Sequence, residues 1–211
     1  MGLYFHKTPL WLQNVYYGLT WSMNSKDKTI YLTFDDGPIP EITSFVLKHL
    51  EQYQAQATFF CVGHNIEKHP QKFNEIIKAG HTCGNHTFNH LIGWSTSTEQ
   101  YLENTQKCQN AIEKYAGVQE RKLFRPPHGR ISRKQIEGLK SSYEIVMWSY
   151  LTGDFDSSLE KEKCLKKAIV KTEANDIVVF HDSVKAYNNL MYVLPEFLKH
   201  FSQLGFQFRA I

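Results

Sequence analysis

Two adjacent carboxylates, Asp35 and Asp36, end the stretch TIYLTFDDGP (29–38), where β-branched and aromatic residues give way to Gly and Pro. Asp, Gly and Pro are turn formers, so a solvated turn is one reading of the doublet. Like charges side by side repel, and the other reading is that something positive holds the pair at the mouth of a site. A second pattern, NHTFNH (85–90), sets His86 and His90 four residues apart. That spacing puts both imidazoles on one face of a helical turn or of an extended strand. Two neutral imidazoles with a carboxylate make a donor set that suits a zinc ion. Thr87 stands where a metalloprotease H-E-x-x-H motif has its general-base Glu, so a hydrolase built on these histidines needs its base elsewhere. The Asp35–Asp36 doublet can supply one carboxylate for a metal and the other for a water.

Three more stretches carry chemistry-bearing residues. FRPPHGR (124–130) puts Arg125 directly after an apolar stretch and into a Pro-Pro turn. Pro stiffens that turn and Gly lets it bend sharply, so that a loop N–H can be aimed inward. TGDFD (152–156) carries Asp154, and VVFHD (178–182) ends a very apolar run in His181. Taken singly, each has an ordinary alternative: an Arg on a surface turn, a plain turn, a capped core histidine.

The elements between these stretches alternate. Strands are expected over 29–34, 57–62, 122–126, 144–150 and 176–182, with a closing strand in FQFRA; each is short, apolar and bounded by turn residues. Apolar residues at helical spacing predict helices over 41–53, 70–80, 96–117, 132–140, 158–172 and 188–205, with Ser132 as an N-cap and Pro195 starting or interrupting the last. Alternating β and α units point to a parallel sheet or barrel with helices outside, in which ligands gather at the carboxyl ends of the strands. The expected strands end at Asp35–Asp36, Arg125, near Asp154, and at His181.

With 211 residues, 42% hydrophobic and 14% aromatic, the chain can bury a large core. No composition break divides it; residues 1–27 are expected to pack as an N-terminal segment on one domain spanning 28–211. A net charge of +3 and no run of Lys or Arg argue against nucleic acid as a partner. Four cysteines without a C-x-x-C pair suit reduced thiols and a cytoplasmic location. The first residues lack the clean apolar core of a signal peptide, and no stretch is long enough for a membrane span.

TFDDG, H-T-x-x-H, R-P-P-x-G, a late Asp and a strand-terminal His, in that order, resemble the polysaccharide deacetylases (carbohydrate esterase family 4, the NodB homology domain). The resemblance runs over residues 28–205. It implies an α/β fold, a distorted (β/α) barrel with fewer than eight complete units, parallel strands inside and helices outside. It also implies a divalent metal, zinc before Co²⁺, Ni²⁺ or Mn²⁺, held by Asp36, His86 and His90. Asp35 would be the general base, kept charged and oriented by Arg125, and His181 the general acid, held by Asp154. The backbone N–H of His128 would stabilise the oxyanion, and Pro127, Phe155 and Val179 would shape the substrate pocket. The substrate class would be an N-acetylated (or O-acetylated) carbohydrate; protein partners are unassigned. Where the family has D-x-x-D-W the chain has LTGDF, with Leu151 and Phe155 at the first and last positions; His128 replaces a common Tyr. These departures touch the substrate wall, so a deacylase of a small N-acyl compound is one alternative and an inactive carbohydrate-binding domain another. Trp94, Phe88 and Tyr150 are candidates for a sugar groove.

Overall fold

The computed structural model describes residues 4–211. Its strands are β1 (Thr29–Asp35), β2 (Thr58–Cys61), β3 (Thr82–Asn85), β4 (Leu123–Phe124), β5 (Glu144–Ile145), β6 (Tyr150–Leu151), β7 (Ile177–His181) and β8 (Gln207–Arg209). The helices are α1 (Leu10–Val15), α2 (Pro40–Gln52), α3 (Gly63–Lys68), α4 (Pro70–Lys78), α5 (Thr98–Ala116), α6 (Arg133–Leu139), α7 (Lys161–Lys171) and α8 (Tyr187–Gln203). Seven parallel strands curl in the order β5-β4-β3-β2-β1-β7-β6, and β8 joins the opening residues of β1. With helices around the curl, this is the distorted, incomplete (β/α) barrel that the family resemblance implied.

Every residue of β1 is buried, because helices cover one face and the barrel interior the other. Strand alternation divides them. Ile30, Leu32 and Phe34 join the main core, where Phe34 lies 5.1 Å from Phe59 and 5.8 Å from Phe180, its register partners on β2 and β7. Burying a side chain of this size contributes about 1.5–3 kcal/mol. The opposite parity sends Thr33 and Asp35 to the interior.

Four expectations change. TCGN (82–85) has no apolar alternation, yet it forms β3, placed by pairing with β2 in register from Thr58↔Thr82 to Cys61↔Asn85. The single strand expected over 144–150 is two: β5 pairs with β4 and β6 with β7, and the chain between them crosses the seam of the barrel. Arg125 accounts for the break, since its guanidinium donates to the Val146 and Met147 carbonyls that a continuous strand would turn to a neighbour (3.2 and 2.9 Å). Phe88 and Tyr150 are buried in the core and line no sugar groove. Helix α8, for its part, runs unbroken through Pro195.

Residues 4–22 lie along that seam. Lys7 bridges Tyr150 of β6 in antiparallel sense, and Thr20 bridges Val146, just past β5, in parallel sense. Among the described residues no helix is long and apolar enough to cross a membrane. All four cysteines are unpaired and buried, and burial raises each thiol pKa, that of Cys83 to about 11.

Candidate active site

The predicted site residues converge at the carboxyl ends of the strands. Asp35 ends β1, and its register partner on β7 is His181, so two titratable groups share one rung of the sheet. Asn85 ends β3 and pairs with Phe124, which puts His86 and Arg125 side by side at the next position. The His86 imidazole accordingly meets the Arg125 carbonyl at 2.8 Å. A carbonyl only accepts, so Nδ1 carries the proton and Nε2 presents its lone pair to the site.

Arg125 is fully buried. It donates to Asp35 Oδ1 (2.8 Å) and Thr33 Oγ1 (2.7 Å), the last two inward residues of β1. Phe60 lies flat beneath its guanidinium, 4.1 Å away. Asp35 is therefore held on one side by a fixed cation, as the sequence implied. Asp36 turns to the other side.

Asp36, His86 and His90 each offer a ligand atom within 4.8 Å of the others. The Asp36 carboxylate is 3.1 Å from His90 Nε2 and 3.8 Å from His86 Nε2. Two ligands on a tetrahedral zinc stand about 3.3 Å apart for bonds of about 2.0–2.1 Å, so the donor set fits such an ion. Burial drives the His86 pKa down to about 4 and leaves its nitrogen unprotonated, as a ligand requires. Burial works against the Asp36 charge, but the hydrogen bond from His90 and the nearby His181 and His86 outweigh it and hold the carboxyl well below its usual range. If the two imidazoles serve as zinc ligands, His86→Ala should lose stoichiometric zinc after dialysis while the fold persists; unchanged metal content would remove it from the ligand set.

The loop carrying the histidines is neither helix nor strand. Thr87 and His90 adopt left-handed φ values of 60° and 56°, as do Asp36 (83°) and His128 (58°). Such strained residues gather at functional sites where neighbours enforce them. Those neighbours are polar residues that the sequence reading missed. Asn85 Oδ1 accepts the Thr87 N–H (2.9 Å), and Thr87 Oγ1 accepts the Leu91 N–H (2.9 Å). Asn65 donates to the Asp36 carbonyl at 2.7 Å. Asp182 is buried and accepts from the Gly37 N–H (3.0 Å) and the Thr43 hydroxyl (2.6 Å), tying the loop after β1 to β7 and α2. Burial without a counter-ion raises its pKa to about 8. A side chain at Gly37 would collide with it, a Cβ there lying 2.0 Å from Asp182 Oδ2. The one hint in the sequence was an acidic residue directly after a strand-terminal His.

Across the site, His181 Nδ1 bonds Asp154 Oδ1 at 2.7 Å, and the His181 N–H bonds Oδ2 at 2.8 Å. Burial alone would lower the His181 pKa; the Asp154 charge and hydrogen bond, helped by Asp36 and Asp35, override it and raise it to about 9. An acid of this kind works only while protonated, so activity that depends on it is present below that value and lost as pH rises through it. Asp154→Asn should therefore move the alkaline limb of kcat/KM about 1–3 units toward lower pH. A pH–rate profile with an unmoved limb would detach Asp154 from this task.

Of the expected pocket residues, Phe155 and Val179 line a cavity of about 770 Å³ together with the site. Pro127 does not; it is buried inside its turn, and His128 to Ile131 make the wall there. That turn closes through Gly129 N–H to Pro126 O and Arg130 N–H to Pro127 O, so the closure does not draw on the His128 N–H. The His128 ring stands 4.8 Å from that of His90. Trp94, 64% exposed, is on the cavity rim and donates its indole N–H to Ile131 O.

Comparison with known proteins gives the family. The family model for polysaccharide deacetylases matches residues 22–143, more than half of the chain. A peptidoglycan-N-acetylglucosamine deacetylase of Bacillus cereus is 33% identical over 195 residues, covering 92% of this chain and 91% of that protein. The peptidoglycan-N-acetylmuramic acid deacetylase PdaC of Bacillus subtilis is 29% identical over 88% of this chain, which spans 38% of that longer protein. A crystal structure of a peptidoglycan N-acetylglucosamine deacetylase with a bound N-hydroxybenzamide superposes with a TM-score of 0.87, at 26% identity, over 97% of this chain and 95% of that one. The five motifs, the barrel and these relatives lead to one conclusion: the chain belongs to the polysaccharide deacetylase family of hydrolases.

Proposed function

We propose that the protein removes N-acetyl groups from an N-acetylglucosamine-containing carbohydrate, with peptidoglycan fragments as the first candidates. The observation that carries this reading is the placing of an Arg-held carboxylate, an Asp/His/His cluster and an Asp-held imidazole around one cavity. Asp36, His86 and His90 would hold the divalent metal, zinc in our reading. When bound, such an ion lowers the pKa of a coordinated water toward ~7 and polarises the acyl oxygen.

The remaining steps belong to the chain. Asp35, fixed by Arg125, accepts the proton of the attacking water. The His128 N–H donates to the oxygen of the tetrahedral intermediate; one such donor contributes about 3 kcal/mol in hydrolases. His181, whose Nδ1 is taken by Asp154, gives its Nε2 proton to the leaving amine. Acetate and a free amino sugar result. Trp94 at the rim offers a flat face for a sugar ring.

Relatives named as peptidoglycan deacetylases support the substrate class. The altered wall at Leu151 and Phe155 favours a second reading, a smaller N-acyl substrate. Acetate release measured over peptidoglycan fragments, chitin oligomers, acetylated xylan and small N-acetyl compounds, with and without chelator, separates the two. Zinc-loaded protein that releases acetate from none of them would overturn both and favour a sugar-binding role. The cytoplasmic location rests on the reduced thiols alone, and fractionation tests it.

A further inference from the structure

The segment before β1 does more than cover the barrel. The family model begins at residue 22, yet Tyr4, Phe5, Leu12, Leu19 and Trp21 line the same cavity as the Asp36–His86–His90 cluster. Its first described residues run beside β6. Leu151 N–H donates to His6 O at 2.7 Å, Thr8 N–H to Ser149 O at 2.9 Å, and the Lys7 ammonium pairs with Asp176 at 2.8 Å and Glu173 at 2.9 Å. Thus anchored, Tyr4 reaches the 152–156 loop. Its hydroxyl donates to Asp156 Oδ2 at 3.0 Å, and its ring stands 5.2 Å from Phe155. Phe155 in turn meets the His181 imidazole edge to face at 5.0 Å. Space for this contact is kept by Gly153, at φ +78°, where a Cβ would lie 2.8 Å from the Tyr4 hydroxyl and 2.9 Å from His6.

We propose that residues 4–21 complete the active site, and that Tyr4 is a positioning residue holding the loop of Asp154 and Phe155 against His181. The segment fills the seam that the incomplete barrel leaves between β5 and β6, and it gives the cavity an apolar, aromatic wall. Asp154 lies two residues along from Thr152, whose hydroxyl is tied to Val179 O at 2.7 Å, and Asn189 holds the Asp154 and Asp156 carbonyls (3.1 and 3.2 Å), so what Tyr4 adds to the backbone ties is chiefly its ring against Phe155. Removing the Tyr4 ring frees Phe155 to leave the imidazole, and the acid loses its orientation toward the leaving group.

The substrate arm of the test rests on the deacetylase reading; the spectroscopic arm does not. Tyr4→Ala, Tyr4→Phe and Phe5→Ala are made in the full chain. Tyr4→Ala should lower kcat about 10- to 100-fold, the scale of a small misplacement of a catalytic group, with zinc stoichiometry unchanged. Tyr4→Phe keeps the ring on Phe155 and should recover most of the rate. Phe5→Ala should raise KM about 3- to 10-fold at constant kcat, since Phe5 lines the cavity and remains half exposed there. By NMR, the His181 ring resonances should move in Tyr4→Ala and stay in place in Tyr4→Phe. Ring resonances that superimpose on the wild type overturn the proposal whether or not acetate is released. So does a Tyr4→Phe variant as impaired as Tyr4→Ala, or an unchanged KM in Phe5→Ala. Failure of the wild type to release acetate overturns the deacetylase reading alone.

Discussion

Asp35→Asn should bind zinc as the wild type does and release acetate at a rate lower by about 10²–10⁴-fold. The separation follows from how the doublet is divided. Asp36 faces the two imidazoles, while Asp35 accepts from Arg125, which also donates to Thr33 on the inward face of β1. An amide at position 35 has nearly the same shape and still accepts one hydrogen bond from Arg125, but it cannot take a proton from water. Calorimetric zinc titration beside an acetate assay reads both halves. Retained turnover would transfer the base to another group; lost zinc would mean that Asp35, not Asp36 alone, serves the cation. The same change leaves a buried guanidinium without its counter-charge, so a fall in thermal midpoint should accompany the loss of rate.

The largest stability effect is expected at Arg125. Arg125→Met keeps the length and apolar stem of the side chain and deletes five donors. Asp35, Thr33 and the Val146 and Met147 carbonyls then lose their partner inside the barrel. Breaking one buried ion pair from one side costs about 3–5 kcal/mol, and orphaned carbonyls add to it. Urea denaturation should show the midpoint falling with little change in slope. A variant within about 1 kcal/mol of wild type would show that water or a neighbour satisfies these groups. Asp35→Asn combined with Arg125→Met should be less unstable than Arg125→Met alone, because the charge left behind is removed.

The parts of this site that were legible in the sequence are those where one residue type can do one job. Asp35, Asp36, His86, His90, Arg125, Asp154 and His181 stand at strand ends because the β/α alternation puts strand ends on one rim, and all seven meet there. Less legible was what holds them. Asn65, Asn85, Thr87 and Asp182 act through backbone contacts across 2 to 145 residues of sequence, and an Asn or Thr in a loop announces no partner. The β3 strand was hidden for a related reason. Its Thr-Cys-Gly-Asn run is extended because β2 templates it, not because of its own pattern. The expected strand over 144–150 failed in the opposite way: local propensity was right, but a buried Arg just past the end of β4 captured the carbonyls in its middle.

The four buried thiols have a practical side. Cys61 ends β2 and accepts the His86 N–H on its carbonyl (3.0 Å), Cys83 lies in β3 and Cys108 in α5, whereas Cys164 in α7 donates to Thr152 O (3.3 Å), beside the loop of Asp154. All are withheld from solvent and from the thiolate form, so a thiol-specific dye reacts only with chains that have opened. The protein thus carries its own reporters of local opening, three on the elements around His86 and one beside the loop of Asp154. Labelling followed residue by residue, with and without zinc, would read out which flank of the barrel the ion braces.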